Sequence, residues 1–119
     1  MLQHASLEVA PDRVRDCVRF WELLGFEEID APPLLRNRFT WVQRDGTQIH
    51  LILTDGHTAP VLGHAAIVAP DHAEAKERLR DAGFQVEDTQ QLWGADRAFA
   101  MAPGGHRVEL MAAPPPASR

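Results

Sequence analysis

The sequence predicts an α+β fold made of two tandem βαβββ modules. This prediction rests on an internal repeat, since segments of the first half of the 119-residue chain recur in the second half at an offset of 58 to 60 residues. "HASLEVAPD", which begins at His4, matches "HAAIVAPD", which begins at His64, and "LLGFEEID" (23–30) matches "DAGFQVED" (81–88). "GTQIHLIL" (46–53) matches "GHRVELMA" (105–112). Several segments held in one register indicate duplication of a structural unit.

Each half has the same order of elements. A short apolar segment, 2–9 or 62–69, predicts the first strand, and a helix follows. In the first half the helix has a single apolar face, because apolar residues recur at i, i+3, i+4, i+7 and i+10. These residues are Val14, Cys17, Val18, Trp21 and Leu24. Gly25 and Gly83 stand just past the two helices, where a left-handed residue commonly ends a helix.

Three strands complete each module. They are predicted at 26–30, 37–43 and 47–54 in the first half and at 84–88, 96–102 and 106–112 in the second. Repeat one therefore spans about 1–57 and repeat two about 61–113, within a single domain of 1–119. We expect a half-barrel-like mixed sheet, with the helices outside and the other sheet face lining a cavity. The proline-rich tail, 113–119, is expected to fray.

Composition excludes several classes of function. The formal net charge is −5 and no basic cluster is present, which argues against a nucleic-acid or anionic-membrane partner. No segment approaches the roughly 20 apolar residues of a membrane span, and the first residues lack the pattern of a signal peptide. The expected location is the cytoplasm. The single cysteine, Cys17, lies in the apolar helix face and is expected to be a buried, inert thiol.

Four side chains capable of binding metal fall on the cavity face. Strand alternation sends Ile49 and Leu51 toward the helix and His50 toward the cavity, and the same period places Glu109, the equivalent of His50, on that face. His4 and His64 face the cavity at equivalent positions of the first strands. Imidazole and carboxylate ligands suit Zn, Fe, Ni, Co or Mn. The sequence therefore predicts a divalent metal site formed by His4, His50, His64 and Glu109.

One other residue is a possible ligand, and three further histidines are not expected to bind the metal. Gln48 lies two residues before His50 on the same face and is an alternative first-repeat ligand. The three remaining histidines are expected to be surface or hydrogen-bonded core residues: His57, His72 and His106.

Candidate substrate-binding residues are less specific. Arg97 begins a strand, and its guanidinium is suited either to an anionic substrate group or to a surface ion pair. Trp93, in the loop "QLWGADR", is either an aromatic wall of the cavity or a packing residue. Trp41 and Arg38 lie on a middle strand and are candidates for the cavity face.

The repeat, the paired first-strand histidines and the closing "GHRVEL" resemble the vicinal-oxygen-chelate superfamily over essentially the whole chain. "RFWELLGFE" (19–27) and "RAFAMAPGGHRVEL" (97–110) carry most of the resemblance. This superfamily includes glyoxalases, epimerases, extradiol dioxygenases, fosfomycin-resistance thiol transferases and bleomycin-resistance proteins. The resemblance implies that its metal positions fall on His4, His50, His64 and Glu109. Such motifs are specific for the fold and weak for the reaction.

The resemblance implies a metal-dependent enzyme of the glyoxalase type, a lyase or isomerase. Its substrate would chelate the metal through adjacent oxygens, the metal would stabilise an enolate-like anion, and Glu109 would accept the proton. His50 departs from the carboxylate that glyoxalases have at its position. Alternatives are an extradiol dioxygenase or thiol transferase using His4, His64 and Glu109, and a sequestering protein of the bleomycin-resistance type. The partner is expected to be a small-molecule substrate, and the assembly a homodimer.

Overall fold

The computed structural model describes residues 1–117; Ser118 and Arg119, the end of the tail expected to fray, lie outside the described residues. Two α-helices and eight strands follow one another in the order βαββββαβββ along the described chain. They are β1 (His4–Val9), α1 (Val14–Leu23), β2 (Glu27–Ile29), β3 (Phe39–Arg44), β4 (Thr47–Leu53), β5 (Ala65–Val68), α2 (His72–Asp81), β6 (Val86–Thr89), β7 (Arg97–Met101) and β8 (Arg107–Met111). The order βαβββ therefore occurs twice, and the predicted α+β fold is confirmed.

The first compact unit comprises Met1–Val61 together with Pro103–His106. Its sheet has the strand order β1-β4-β3-β2, in which β1 pairs with β4 in parallel and the other pairs are antiparallel. The apolar face of α1 buries Phe20 and Trp21 completely, and Trp21 makes an edge contact with the ring of Phe26 at 5.0 Å between centroids. Val42 and Leu51 complete this core from the sheet. The helix therefore covers one sheet face, as alternation along β4 requires.

The second unit comprises Leu62–Ala102 and the residues from Arg107 onward. Its sheet repeats the first, with the order β5-β8-β7-β6 and β5 parallel to β8. Its helix, α2, buries two apolar side chains, Ala75 and Leu79, and the sheet buries Val108 and Leu110. The helix therefore has a smaller buried apolar face than α1.

Predicted boundaries differ from the observed ones mainly in the first strand of each half. The predicted 2–9 and 62–69 shorten to His4–Val9 and Ala65–Val68, so His64 lies immediately before its strand. A 3-10 turn at Pro33–Leu35 was not predicted. No helix among the described residues has both the length and the hydropathy needed to cross a membrane.

Candidate functional site

In the second unit, His64 and Glu109 are in direct contact. The parallel pairing of β5 with β8 sets Ala66 opposite Glu109, and His64 lies two residues earlier on the same side of the chain. The His64 Nε2 atom is 3.0 Å from Oε1 of Glu109. Glu109 is buried, with 7% of its surface exposed, whereas His64 is exposed. The sheet register thus produces the second-repeat pair that the sequence predicts.

The tautomer of His64 is restricted by a backbone carbonyl. Its Nδ1 lies 2.8 Å from the Leu62 carbonyl oxygen, which can only accept a hydrogen bond, so Nδ1 carries a hydrogen. The other nitrogen, Nε2, faces a carboxylate oxygen. Two lone pairs cannot approach to 3.0 Å without repulsion, so a positive centre has to lie between them. That centre is either a second ring proton or a metal cation.

Arg97 binds the other oxygen of Glu109. Its Nε donates to Oε2 at 2.8 Å, and its Nη1 donates to the Gln90 carbonyl oxygen, also at 2.8 Å. The Arg97 and Glu109 side chains are 10% and 9% exposed, so this is a buried ion pair. Burial pushes the pKa of Glu109 upward, but the hydrogen bonds and charges of Arg97 and His64 outweigh it and hold that pKa below its usual range. Glu109 is therefore a carboxylate at neutral pH.

Arg97 forms an ion pair, as one of its two interpretations expects, but the pair is buried rather than on the surface. Its Nε and Nη1 donate to Glu109 and to the Gln90 carbonyl oxygen. Trp93 packs against the same guanidinium, with Arg97 Cζ 5.3 Å from the Trp93 ring centroid. The Trp93 indole donates to the Ala113 carbonyl oxygen at 2.9 Å. Arg97 thus holds the Glu109 carboxylate in place, and Trp93 packs against Arg97.

In the first unit, His4 and His50 are also brought together, as stacked rings. Their centroids are 4.1 Å apart with 18° between the planes. Trp41, directly opposite His50 in the strand register, covers the other face of the His50 ring at 3.9 Å and 3°. Trp41 therefore lies on the candidate face, as the sequence allows. Its indole Nε1 is buried and has no hydrogen-bond partner within residues 1–117.

Glutamine side chains orient both imidazoles of this pair. His4 Nδ1 lies 2.6 Å from Oε1 of Gln3, and His50 Nε2 lies 2.8 Å from Oε1 of Gln48. The Gln48 amide nitrogen donates to Gln43, which orients its oxygen toward His50. Each ring therefore donates through one nitrogen and keeps a lone pair on the other. Burial, and then the charge of His4, lower the pKa of His50, which favours the neutral imidazole that a metal requires.

The described part of the chain contains no group of three or more His, Cys, Asp or Glu side chains that could hold a metal ion. Each unit holds a pair of its own: stacked rings in the first, an imidazole with a carboxylate in the second. Stacked rings direct their lone pairs nearly parallel, so binding one ion through both His4 and His50 requires one ring to rotate. Gln48 remains beside His50 as the alternative ligand.

The other histidines are hydrogen-bonded to backbone carbonyls, in agreement with the sequence. Each donates from Nε2: His57 to Gly104 at 3.3 Å, His72 to Leu110 at 3.1 Å and His106 to Glu8 at 2.8 Å. The Cys17 thiol is buried and donates to the Pro103 carbonyl oxygen, and burial raises its pKa to about 11. A thiol with so high a pKa is inert at neutral pH.

Phe99 and Arg107 lie on the same sheet face as Glu109, but the sequence analysis did not predict them as site residues. Phe99 lies directly opposite Glu109 in the β7–β8 register, and its ring centroid is 5.1 Å from that of His64. Arg107 covers the Phe99 ring, with Cζ 4.0 Å from the centroid. Both follow from period-two alternation, since Arg107 is two residues before Glu109 on the same face.

Comparison with solved structures identifies the fold. The chain is similar to a structure described as a glyoxalase family protein from Bacillus anthracis, at a TM-score of 0.84, with 24% identity over 93% of each chain. It is also similar to the fosfomycin resistance protein FosX from Listeria monocytogenes, at a TM-score of 0.77, with 18% identity over 96% of this chain and 91% of that one.

A third similar structure is a member of the glyoxalase/bleomycin resistance protein/dioxygenase superfamily from Sphaerobacter thermophilus. Its TM-score is 0.71, with 23% identity over 93% of this chain and 95% of that one. No family model matches the chain, and no curated protein does so. At these identities the similarity establishes the fold, and the chemistry has to be argued from the side chains.

Proposed function

We propose that this chain, whose fold is that of the vicinal-oxygen-chelate superfamily, is a divalent-metal-dependent enzyme acting on a small substrate with adjacent oxygens. The proposed ligands are His4, His50, His64 and Glu109. The observation that carries the proposal is the 3.0 Å contact between His64 Nε2 and Glu109 Oε1, combined with a hydrogen on His64 Nδ1. An Nδ1–H bound to a carbonyl is the usual partner arrangement of a metal-binding histidine.

The donor atoms of the second unit fit a divalent ion. His64 Nε2 and Glu109 Oε1, which are already in contact, are an imidazole nitrogen and a carboxylate oxygen of the kind that would hold a divalent ion. The carboxylate also supplies negative charge, which Arg97 only partly offsets through the other oxygen. A divalent ion would therefore compete with a ring proton for these two side chains.

The residues have separate roles in this proposal. A bound divalent ion supplies Lewis-acid stabilisation of negative charge on substrate oxygens. Arg97 fixes the Glu109 carboxylate and keeps it ionised, and Leu62 fixes the His64 ring. Glu109 is the proposed proton acceptor for glyoxalase-type lyase or isomerase chemistry. To act as a base against its lowered pKa, it has to weaken its contact with Arg97 or His64 during turnover.

Nitrogen NMR of the His64 ring tests this proposal directly. On addition of Zn²⁺ to chelator-treated protein, we expect the Nε2 resonance of His64 to move to the metal-bound range while Nδ1 stays protonated. Competition with protons for the histidine ligands should also weaken Zn²⁺ binding as the pH falls. A His64 spectrum unchanged at saturating Zn²⁺ would refute the assignment.

A second candidate function is a small-molecule sequestering protein without chemistry. It is favoured by the contacts of Glu109, whose two oxygens each have a protein partner, His64 and Arg97. Zn²⁺ binding at His64 separates the two candidates, because sequestration needs no metal. Extradiol ring cleavage or thiol transfer, using His4, His64 and Glu109, is separated from the first by oxygen uptake with a catechol or by thiol dependence.

We further propose a homodimer in the cytoplasm. Each sheet ends in two edge strands, β1 and β2 in the first unit and β5 and β6 in the second. Such edges carry unpaired backbone groups that a partner can cover. Sedimentation equilibrium at micromolar concentration should give the mass of two chains, and a single-chain mass would refute the dimer.

A further inference from the structure

A cavity of about 240 Å³ lies within the second unit. Neither His64 nor Glu109 lines it, but Phe99 does. Phe99 lies opposite Glu109 in the sheet register, and its ring centroid is 5.1 Å from that of His64. Met101 and Ala100 provide further apolar wall. The size is slightly below that of pockets for drug-sized ligands, which limits the occupant to a small molecule.

Arg107 is the one cationic residue lining this cavity within the described chain. The structure gives its guanidinium no ion pair and no hydrogen bond within residues 1–117. Its contact is with the face of the Phe99 ring, 4.0 Å from Cζ to the centroid. A cation–π contact fixes the guanidinium but uses none of its N–H donors. Arg107 therefore holds donors at the cavity that remain free to bind a ligand.

Arg97, on the same face, differs from Arg107 in having bound partners. Its side chain is 10% exposed, and its Nε and Nη1 donate to Glu109 and to the Gln90 carbonyl oxygen. The anion-binding role that the sequence suggests for Arg97 is thus better matched by Arg107. The two arginines lie on β7 and β8, on either side of Phe99.

Acidic side chains at the cavity do not neutralise Arg107. Asp88 is paired with Lys76 at 2.7 Å, which lowers the pKa of Asp88. Glu87 is exposed and accepts a hydrogen bond from the Gln85 amide at 2.9 Å. Neither carboxylate lies within 4.0 Å of the guanidinium, since the described residues include no such ion pair. Solvent screens the charge of an exposed carboxylate such as Glu87.

We infer that this cavity binds a small carboxylate with an apolar body, the carboxylate on Arg107 and the body against Phe99 and Met101. The guanidinium edge matches a carboxylate through two parallel N–H···O hydrogen bonds. The inference deepens the proposed function, on which it rests for the reaction: it names an anionic substrate class for the site beside His64 and Glu109. Binding at Arg107 itself requires no metal.

The test uses phenylacetate as the probe and phenylacetamide as its uncharged isostere. Both are titrated into the full-length protein, with amide chemical shifts followed at Phe99, Met101 and Arg107, once in chelator and once in Zn²⁺. We expect saturable shifts with phenylacetate and much weaker ones with phenylacetamide. Arg107→Gln should weaken phenylacetate binding about tenfold or more, as expected for loss of a charge-assisted pair. Arg107→Lys should retain part of the affinity.

The matched control is Arg19→Gln, which removes the same charge from an exposed position on α1. It should leave phenylacetate binding unchanged. Equal binding of the amide, unchanged affinity in Arg107→Gln, or no saturable shift at the solubility limit would each overturn the inference. Shifts that persist in chelator while Zn²⁺ leaves His64 unaffected would support the carboxylate site and refute the metal proposal, so the two failures are distinguishable.

Discussion

Replacing Arg97 with Met should lower the free energy of unfolding by about 3 kcal/mol at pH 7, the usual cost of removing one partner of a buried ion pair. The reason is that Glu109, 7% exposed, would keep its charge with only His64 as a partner. Met conserves part of the apolar contact with Trp93, so the loss comes mainly from the ion pair with Glu109 and the hydrogen bond to the Gln90 carbonyl oxygen. Urea unfolding of parent and variant measures the difference.

The loss should depend on pH in a defined direction. The folded-state pKa of Glu109 lies below its unfolded value, so its contribution is present above the unfolded pKa and disappears as pH falls through the folded pKa. Burial raises the pKa of Glu109, and Arg97 is one of the two residues that lower it. Without Arg97 the pKa of Glu109 therefore rises, so Glu109 becomes protonated at a higher pH than in the parent protein. The difference between parent and Arg97→Met should therefore shrink between about pH 7 and pH 4.

Two further variants make this result interpretable. The double variant Arg97→Met/Glu109→Gln should recover part of the stability, because the unpaired charge is gone. Arg15→Met breaks an exposed two-bond pair with Glu28 and should cost about 1 kcal/mol or less. Equal losses in Arg97→Met and Arg15→Met would show that Glu109 is not held as a buried charge.

Glu109→Gln should lower the affinity for a divalent metal by at least about 100-fold, since even the outer partners of metal ligands cost roughly 10–100-fold. The amide keeps the shape of the side chain but removes the charge that binds the cation. It should also abolish proton transfer, because Glu109 is the only carboxylate in the proposed ligand set. Glu87→Gln is the matched control, the same substitution at an exposed site on the same sheet. Metal affinity equally reduced in Glu87→Gln would indicate a nonspecific charge effect.

Period-two alternation and the internal repeat were sufficient to predict the fold and to place the four candidate ligands on one face of their strands; their convergence on a single metal ion stays a prediction. The repeat fixed the order βαβββ twice, and alternation placed His64 and Glu109 where the β5–β8 register brings them into contact. These features are local or follow from strand pairing, which an apolar pattern specifies strongly. An ion pair of Arg97 was predicted only as an alternative and only at the surface; its burial against Glu109 depends on tertiary packing, including that of Trp93.

Other features of the site lie beyond what a pattern can specify. The stacking of His4 on His50 depends on side-chain rotamers and on the Trp41 ring across the β3–β4 register. The free donors of Arg107 depend on which neighbouring carboxylates find other partners, such as Asp88 with Lys76. A sequence shows which charges are near each other along a strand, but the choice among competing partners is made by tertiary packing.

The stoichiometry and affinity of Co²⁺ binding to the chelator-stripped full-length protein test whether the chain is a metalloprotein. We predict one ion per chain, with affinity strongly reduced in His50→Ala and in Glu109→Gln. The fold should survive in His50→Ala, because Ile49 and Leu51 keep β4 in the core. Unchanged stoichiometry and affinity in His50→Ala would reduce the site to His4, His64 and Glu109. No saturable Co²⁺ binding to the parent protein would contradict the metal-dependent function altogether.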